Sequence, residues 1–186
     1  MEVEIIVDLG CGHRKRTKGG RLVRDMTKEV CREILKNVLE RPPNAEELEK
    51  AWTEFSAFKV IGIDRIKTPE VDIICRLGYE KIPLEDGSVD YIVAQDFIEH
   101  IPFVDGDKRP IAFVFEEAFR ILKLGGYFEI KVPVFPYRQP WHTYWLPQHL
   151  SYWGPETINK FANKFIIFSK YVSSDGKQNI LLLKYS

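Results

Sequence analysis

The chain has 186 residues, 45% hydrophobic and 13% aromatic, which is enough for one sizeable core and short for two. Lysine plus arginine equals aspartate plus glutamate at 27 each, so no global field draws the protein to nucleic acid or to an anionic membrane. The three cysteines, Cys11, Cys31 and Cys75, are odd in number and lack metal-like or disulfide-framework spacing, which suits a reducing compartment. With no leader of signal-peptide type and no apolar run of bilayer length, a soluble cytoplasmic protein is expected.

Residues 3–9 are β-branched and bounded by glycine, which predicts a buried first strand. From about residue 22 to 40, Met26, Val30, Ile34, Leu35, Val38 and Leu39 recur at three- and four-residue steps, predicting an amphipathic helix that Pro42 and Pro43 stop. Asn44 stands where an N-cap belongs, Glu46 and Glu47 favour a first turn, and Leu48, Ala51, Trp52 and Phe55 carry a second helix. Strands are then expected at residues 59–63, 71–75, 89–94 and 127–132, with a helix over 111–122 ending at Gly125-Gly126. This alternation predicts βαβ units and a parallel sheet covered on both faces. The tail differs: residues 165–172 and 179–184 are joined by a connector too short for a helical crossover, so they must form an antiparallel hairpin.

The stretch VDLGCGHRKR, residues 7–16, runs from the first strand into two glycines and then into positive charge. In an open α/β sheet the ligand lies beyond the carboxyl ends of the strands, and Gly10 and Gly12 let the backbone approach it closely. Asp64, at the end of the second strand, can accept both hydroxyls of a ribose. The third glycine of a dinucleotide fingerprint is absent, which disfavours a pyrophosphate and with it an NAD-dependent oxidoreductase. The basic run Arg14, Lys15, Arg16 and Lys18 reads either as a solvated loop or as a steering site for a phosphorylated substrate.

Five segments follow one another along the chain: VDLGCG (7–12), IGID (61–64), LGYEKIPLEDGSVDYIVAQDFIEHI (77–101), RILKLGGYFEIKVP (120–133) and LPQHLSYWGPETI (146–158). In that order they resemble the class I S-adenosylmethionine-dependent methyltransferases, of the subgroup that modifies small molecules, lipids and glycans, over most of the chain. The resemblance implies a Rossmann-like α/β fold with a seven-stranded sheet in the order 3-2-1-4-5-7-6, its last hairpin antiparallel, and helices on both faces. It implies S-adenosylmethionine as cofactor and S-adenosylhomocysteine as product. Gly10, Cys11 and Gly12 would line the methionyl part, with Asp8 at its ammonium group and Gln95 beside it. Asp64, followed by Arg65, would take the ribose, and Leu77 would pack on the adenine. Arg76 departs from the family, which often has an acidic residue there to reach the adenine amino group; Leu124 replaces a common proline.

Methyl transfer is an in-line displacement that the protein mainly positions, with a base needed for a hydroxyl or a protonated amine. The candidates are His149, His142, Asp96 and His100, of which His149 matches a position often held by histidine in the resembling subgroup. Glu99 and His100 read equally as a structural pair at the pocket floor. The histidines lack helical i, i+3 or i, i+4 spacing, so no metal site is expected.

One domain is expected over residues 1–186, with a helical insertion at about 21–57 and an aromatic, proline-containing loop at about 134–153 that reads as a substrate wall or as a hydrophobic plug. The insertion reads as a roof over the cofactor, as surface elaboration, or as the face of a homodimer. The expected function is methyl transfer to oxygen or nitrogen of a small-molecule, lipid or glycan-like acceptor. The alternative is a module that keeps the fold and the cofactor but has lost turnover.

Overall fold

A computed structural model of the chain describes residues 3–22, 27–135 and 148–185. In chain order its elements are β1 (Glu4–Leu9), β2 (Arg16–Thr17), β3 (Arg21–Leu22), α1 (Lys28–Leu39), α2 (Ala45–Phe55), β4 (Phe58–Asp64), β5 (Ile73–Ile74), β6 (Val89–Gln95), α3 (Pro110–Ile121), β7 (Leu122–Pro133), β8 (Phe165–Val172) and β9 (Lys177–Lys184). Seven strands form one sheet in the order β5-β4-β1-β6-β7-β9-β8, and β2 and β3 form a separate ribbon. With the ribbon set aside, this is the order 3-2-1-4-5-7-6 expected from the resemblance.

Strand β1 runs parallel between β4 and β6, with Ile6 opposite Val60 on one side and Tyr91 on the other. Its residues Ile6, Val7, Asp8 and Leu9 are wholly inaccessible to solvent, as a strand covered on both faces must be. The parallel half ends at β7; β9 pairs antiparallel with β7, and β8 antiparallel with β9. The larger core cluster joins Val7, Leu9, Ile63, Ile92, Phe128 and Ile180, while a smaller one gathers Ile6, Tyr91 and Val93 with Phe58 and Leu181.

Helix α3 has Pro110 in its first turn and buries Ile111, Val114, Phe115, Ala118 and Ile121. At about 1.5–3 kcal/mol for each large apolar side chain removed from water, that face anchors it firmly. The pair α1 and α2 is held differently. Thr27 caps α1 by accepting from Val30 N at 3.3 Å, and Asn44 opens α2 with a reciprocal capping box to Glu47, both hydrogen bonds 2.9 Å. Lys28 bridges to Glu49 between the two helices. Of α1 only Cys31 is buried, and Val30, Ile34 and Val38 remain exposed.

Three expectations need correction. The helix before the double glycine ends at Ile121, not at Gly125-Gly126, because Leu122 already takes extended backbone angles and pairs with Val89. The register then jumps to Tyr91 opposite Tyr127, so residues 123–126 are a bulge inside β7. Strand β5 has only two residues: Val71 N–H closes a turn onto the Thr68 carbonyl at 3.1 Å, and Asp72 N–H reaches the Gly62 carbonyl of β4 at 2.9 Å just before the paired segment. Helix α1 begins after the Thr27 cap; Leu22 lies in the β2–β3 ribbon, and Met26 falls outside the described residues.

Candidate functional site

A cavity of about 580 Å³ opens at the carboxyl ends of β1, β4 and β6, within the size range of small-molecule sites. A second recess of about 360 Å³ lies at the opposite, amino ends, beside Glu4, Lys18 and Lys123. The rule that α/β sheets bind ligands at the carboxyl ends singles out the first.

The turn after β1 is built for close approach. Gly10 has φ +70°, and a Cβ there would stand 2.1 Å from the ring of Phe97. Its N–H donates to the Ile63 carbonyl at 2.8 Å, which ties the turn to β4. Gly12 N–H donates to Asp64 Oδ2 at 3.1 Å, and the Thr68 hydroxyl donates to the Gly12 carbonyl at 2.5 Å. Asp64 also accepts from Ile66 N–H through Oδ1 at 3.2 Å. Each carboxylate oxygen keeps a further lone pair, and Asp64 and Arg65 both line the cavity.

Asp8 lies beneath this turn. Its Oδ2 accepts from Arg16 N–H at 2.6 Å, while Oδ1 is buried without a partner among the described residues. Burial outweighs that hydrogen bond and the nearby Arg16 and Lys15 charges, and pushes the carboxyl up to about 7. Two of the four residues of the basic run are ion-paired: Lys15 with Asp72 at 2.8 Å and Lys18 with Glu4 at 2.5 Å.

Cys11 lies between Gly10 and Gly12 but is not among the residues that line the cavity. Its thiol is buried, lies 3.7 Å from the Glu70 carbonyl and packs where a Cβ on Gly62 would come within 2.7 Å of it. Burial and the carboxylates of Asp8 and Asp64 raise that thiol to about 12. Leu77 lines the cavity; Gln95, at the end of β6, is not among its lining residues. The Arg76 guanidinium carbon lies over the ring of Tyr79, 3.9 Å from the centroid, and both residues border the cavity. Tyr79 and Phe97 escaped the sequence reading, although each stands next to, or two residues from, a position that it singled out.

The far wall brings together residues 96–102 and 148–150. Asp96 has φ +52° and is ion-paired with Lys177 of β9 at 2.5 Å. The Glu99 carbonyl accepts from Leu150 N and Ser151 N at 2.8 and 3.0 Å, so the two loops are stitched by backbone. His100 Nδ1 lies 3.0 Å from the Gln148 carbonyl oxygen, which only accepts; the ring proton therefore sits on Nδ1. The His149 ring meets that of His100 edge-on, with centroids 5.0 Å apart. Burial, reinforced by His100, holds the His149 pKa below its ordinary value. Glu99 is buried, its Oε2 has no partner among the described residues, and desolvation raises it to about 8. His142 lies outside the described residues, as do Tyr137, Trp141, Tyr144 and Trp145. At the described end of the same aromatic stretch Trp153 is a core residue, donating through Nε1 to Ser151 Oγ at 3.0 Å and packing on Phe103 and Phe161.

A family model described as a methyltransferase domain matches residues 7–130, two thirds of the chain. The chain is a class I S-adenosylmethionine-dependent methyltransferase. The methyltransferase has no match among curated proteins. Solved structures of the same fold include a S-adenosylmethionine-dependent methyltransferase from Aquifex aeolicus, 14% identical, covering 98% of this chain and 83% of that one at a TM-score of 0.56. Another is a methyltransferase from Methanosarcina mazei, 15% identical, covering 100% of this chain and 94% of that one at 0.57. A third, phosphoethanolamine N-methyltransferase 2 from Haemonchus contortus, is 16% identical, covers 100% of this chain and 50% of that one at 0.54, and holds phosphomonomethylethanolamine and S-adenosylhomocysteine.

S-adenosylmethionine is the methyltransferase's cofactor, and the site fits it. The glycine turn leaves no room for a side chain at Gly10, Asp8 Oδ1 lacks a hydrogen-bond partner among the described residues, and Leu77 lines the same cavity as Asp64. No described residue of α1 or α2 lines the cavity, so the roof reading gains no support there, while the exposed stripe of α1 stays open to the dimer reading. Among the described residues, no helix of the methyltransferase is long and apolar enough to cross a membrane.

Proposed function

We propose that the methyltransferase binds S-adenosylmethionine with its methionyl end on Gly10, the Cys11 backbone and Gly12, its ammonium at Asp8, its ribose at Asp64 and its adenine against Leu77. It presents the methyl group to oxygen or nitrogen of a small acceptor held at the corner of Asp96, His100 and His149. The observation that carries this reading is that one cavity runs from the glycine turn to His100 and Gln148. Nucleophile and sulfonium can thus be aligned without solvent between them. At about 580 Å³ the cavity is largely filled by a cofactor of that size, so the acceptor is a compact molecule or the tip of a glycan or lipid head group. The acceptor gives up its proton at the histidine corner, where burial holds the His149 pKa below its ordinary value.

Radiolabelled S-adenosylmethionine and a size-fractionated cell extract test the reading. Label is expected in the small-molecule or glycan fraction, and His149→Ala is expected to lower kcat at least tenfold with the cofactor Kd unchanged. Label confined to protein or nucleic acid would refute the acceptor class. Tight cofactor binding with no labelled product in any fraction would favour the module that has lost turnover.

A further inference from the structure

We propose that Glu99, His100 and His149 form a binding site for one divalent transition-metal ion at the acceptor end of the cavity. One carboxylate oxygen of Glu99 and one nitrogen from each imidazole lie within 4.8 Å of one another. Around an ion with bonds of about 2.1 Å, ligand atoms stand roughly 3–4 Å apart, so the three side chains need to close by at most about 1–2 Å.

Two further observations point to a cation here. Glu99 is only 2% exposed, yet its Oε2 has no partner among the described residues. A buried carboxylate oxygen without a donor is costly, and an ion bound at that corner would satisfy it. His100 is oriented as metal-bound histidines are: Nδ1–H donates to the Gln148 carbonyl at 3.0 Å, which leaves the lone pair on Nε2. The ligands come from two loops held together by the hydrogen bonds of Leu150 N and Ser151 N to the Glu99 carbonyl, so they are preorganised on backbone. Asp96 stays outside the cluster, committed to Lys177.

Two imidazoles and one carboxylate suit Zn²⁺, Co²⁺, Ni²⁺, Fe²⁺ or Mn²⁺ better than Mg²⁺ or Ca²⁺, which prefer all-oxygen shells. Three protein ligands leave positions open, and His100 faces the cavity. What the ion does there rests on the proposed methyl transfer. With His100 and His149 engaged as ligands, an acceptor hydroxyl bound to the ion is acidified by it and its proton passes to water in place of an imidazole. The oxygen then forms a bond to the methyl carbon as the carbon–sulfur bond breaks, its electron pair going to sulfur and leaving the neutral thioether.

The test uses the whole chain without cofactor or acceptor. Protein freed of metal by chelator is titrated with Co²⁺ alone, following visible absorption and bound metal. One equivalent per chain is expected, with d–d bands displaced by Zn²⁺ and unaffected by millimolar Mg²⁺. His149→Ala, at a half-buried position, and Glu99→Gln should each weaken Co²⁺ binding at least tenfold, in line with the loss of one ligand, while His13→Gln should not. Circular dichroism and thermal melts check that each variant is folded; if Glu99→Gln is not, His149→Ala decides alone. Substoichiometric Co²⁺ uptake by the parent protein, or affinity unchanged in His149→Ala, overturns the site. Because cofactor binding is read separately by calorimetry, failure here leaves the methyl-transfer reading standing, and failure there leaves this one.

Discussion

Replacing Asp8 by asparagine should make the ligand-free protein more stable while weakening its hold on S-adenosylmethionine. Asp8 is buried with one oxygen unpartnered among the described residues, and its pKa rises from the ordinary 3.8 to about 7. A folded-state pKa above the unfolded one means that the carboxylate's burial is harmless below about pH 4 and destabilising as pH rises through 7. A rise of about 3 pH units, at about 1.4 kcal/mol each, corresponds to about 4 kcal/mol at pH 8, of which roughly 2 to 3 develop between pH 5 and pH 8. Asparagine keeps an acceptor for Arg16 N–H and carries no charge. For a chain of this size the gain in Tm over the parent should therefore grow by about 4–10 °C between pH 5 and pH 8. The amide would meet the methionyl ammonium donor to donor, so the cofactor Kd should rise at least tenfold. Melts of both proteins across that pH range, with and without cofactor, supply the data. A Tm difference that does not widen with pH would show that Asp8 is not the titrating group.

Asp64→Ala should raise the cofactor Kd by about 10- to 100-fold by calorimetry, through loss of two charge-assisted hydrogen bonds, and unchanged binding would remove the ribose from that position. Gly10→Ala forces a side chain at φ +70° into the Phe97 ring, which itself lines the cavity. Cofactor affinity should fall more than the roughly 1 kcal/mol of stability expected from backbone strain alone. Arg120 holds Glu117 and Asp86 at 2.7 Å and donates to the Ile82 and Leu84 carbonyls at 2.8 Å. Arg120→Ala strands Glu117, which is buried and also accepts from Ile82 N, and should cost about 3–5 kcal/mol in urea unfolding with the cofactor Kd unaltered.

Elements whose signals are local were legible in the sequence. The unbroken apolar run of β1 up to Gly10, the Asn44 cap of α2 and the short connector of the β8–β9 hairpin each announce one structure by chemistry within a few residues. Gly125-Gly126 misled because glycine pairs end helices and also make bulges, and only the pairing of Leu122 with Val89 decides between them. Side-chain direction after a strand was not legible either: Gly10 and Gly12 line the cavity while the Cys11 thiol between them turns to Glu70 and Gly62. The proximity of Glu99, His100 and His149 was hidden too, because loop-to-loop hydrogen bonds bring them together from about 50 positions apart.

The position of β9 between β7 and β8 has a consequence for assembly. β8 precedes β9 in the chain but pairs with the sheet only through it, so the β8 backbone has no hydrogen-bonding partner strand until β9 has been made and seated on β7. Until then Phe165, Ile166, Ile167 and Phe168 form an unsatisfied, sticky ribbon on the nascent protein. Closure of the hairpin, and with it delivery of Lys177 to Asp96, is thus the step at which a growing chain passes from aggregation hazard to finished enzyme.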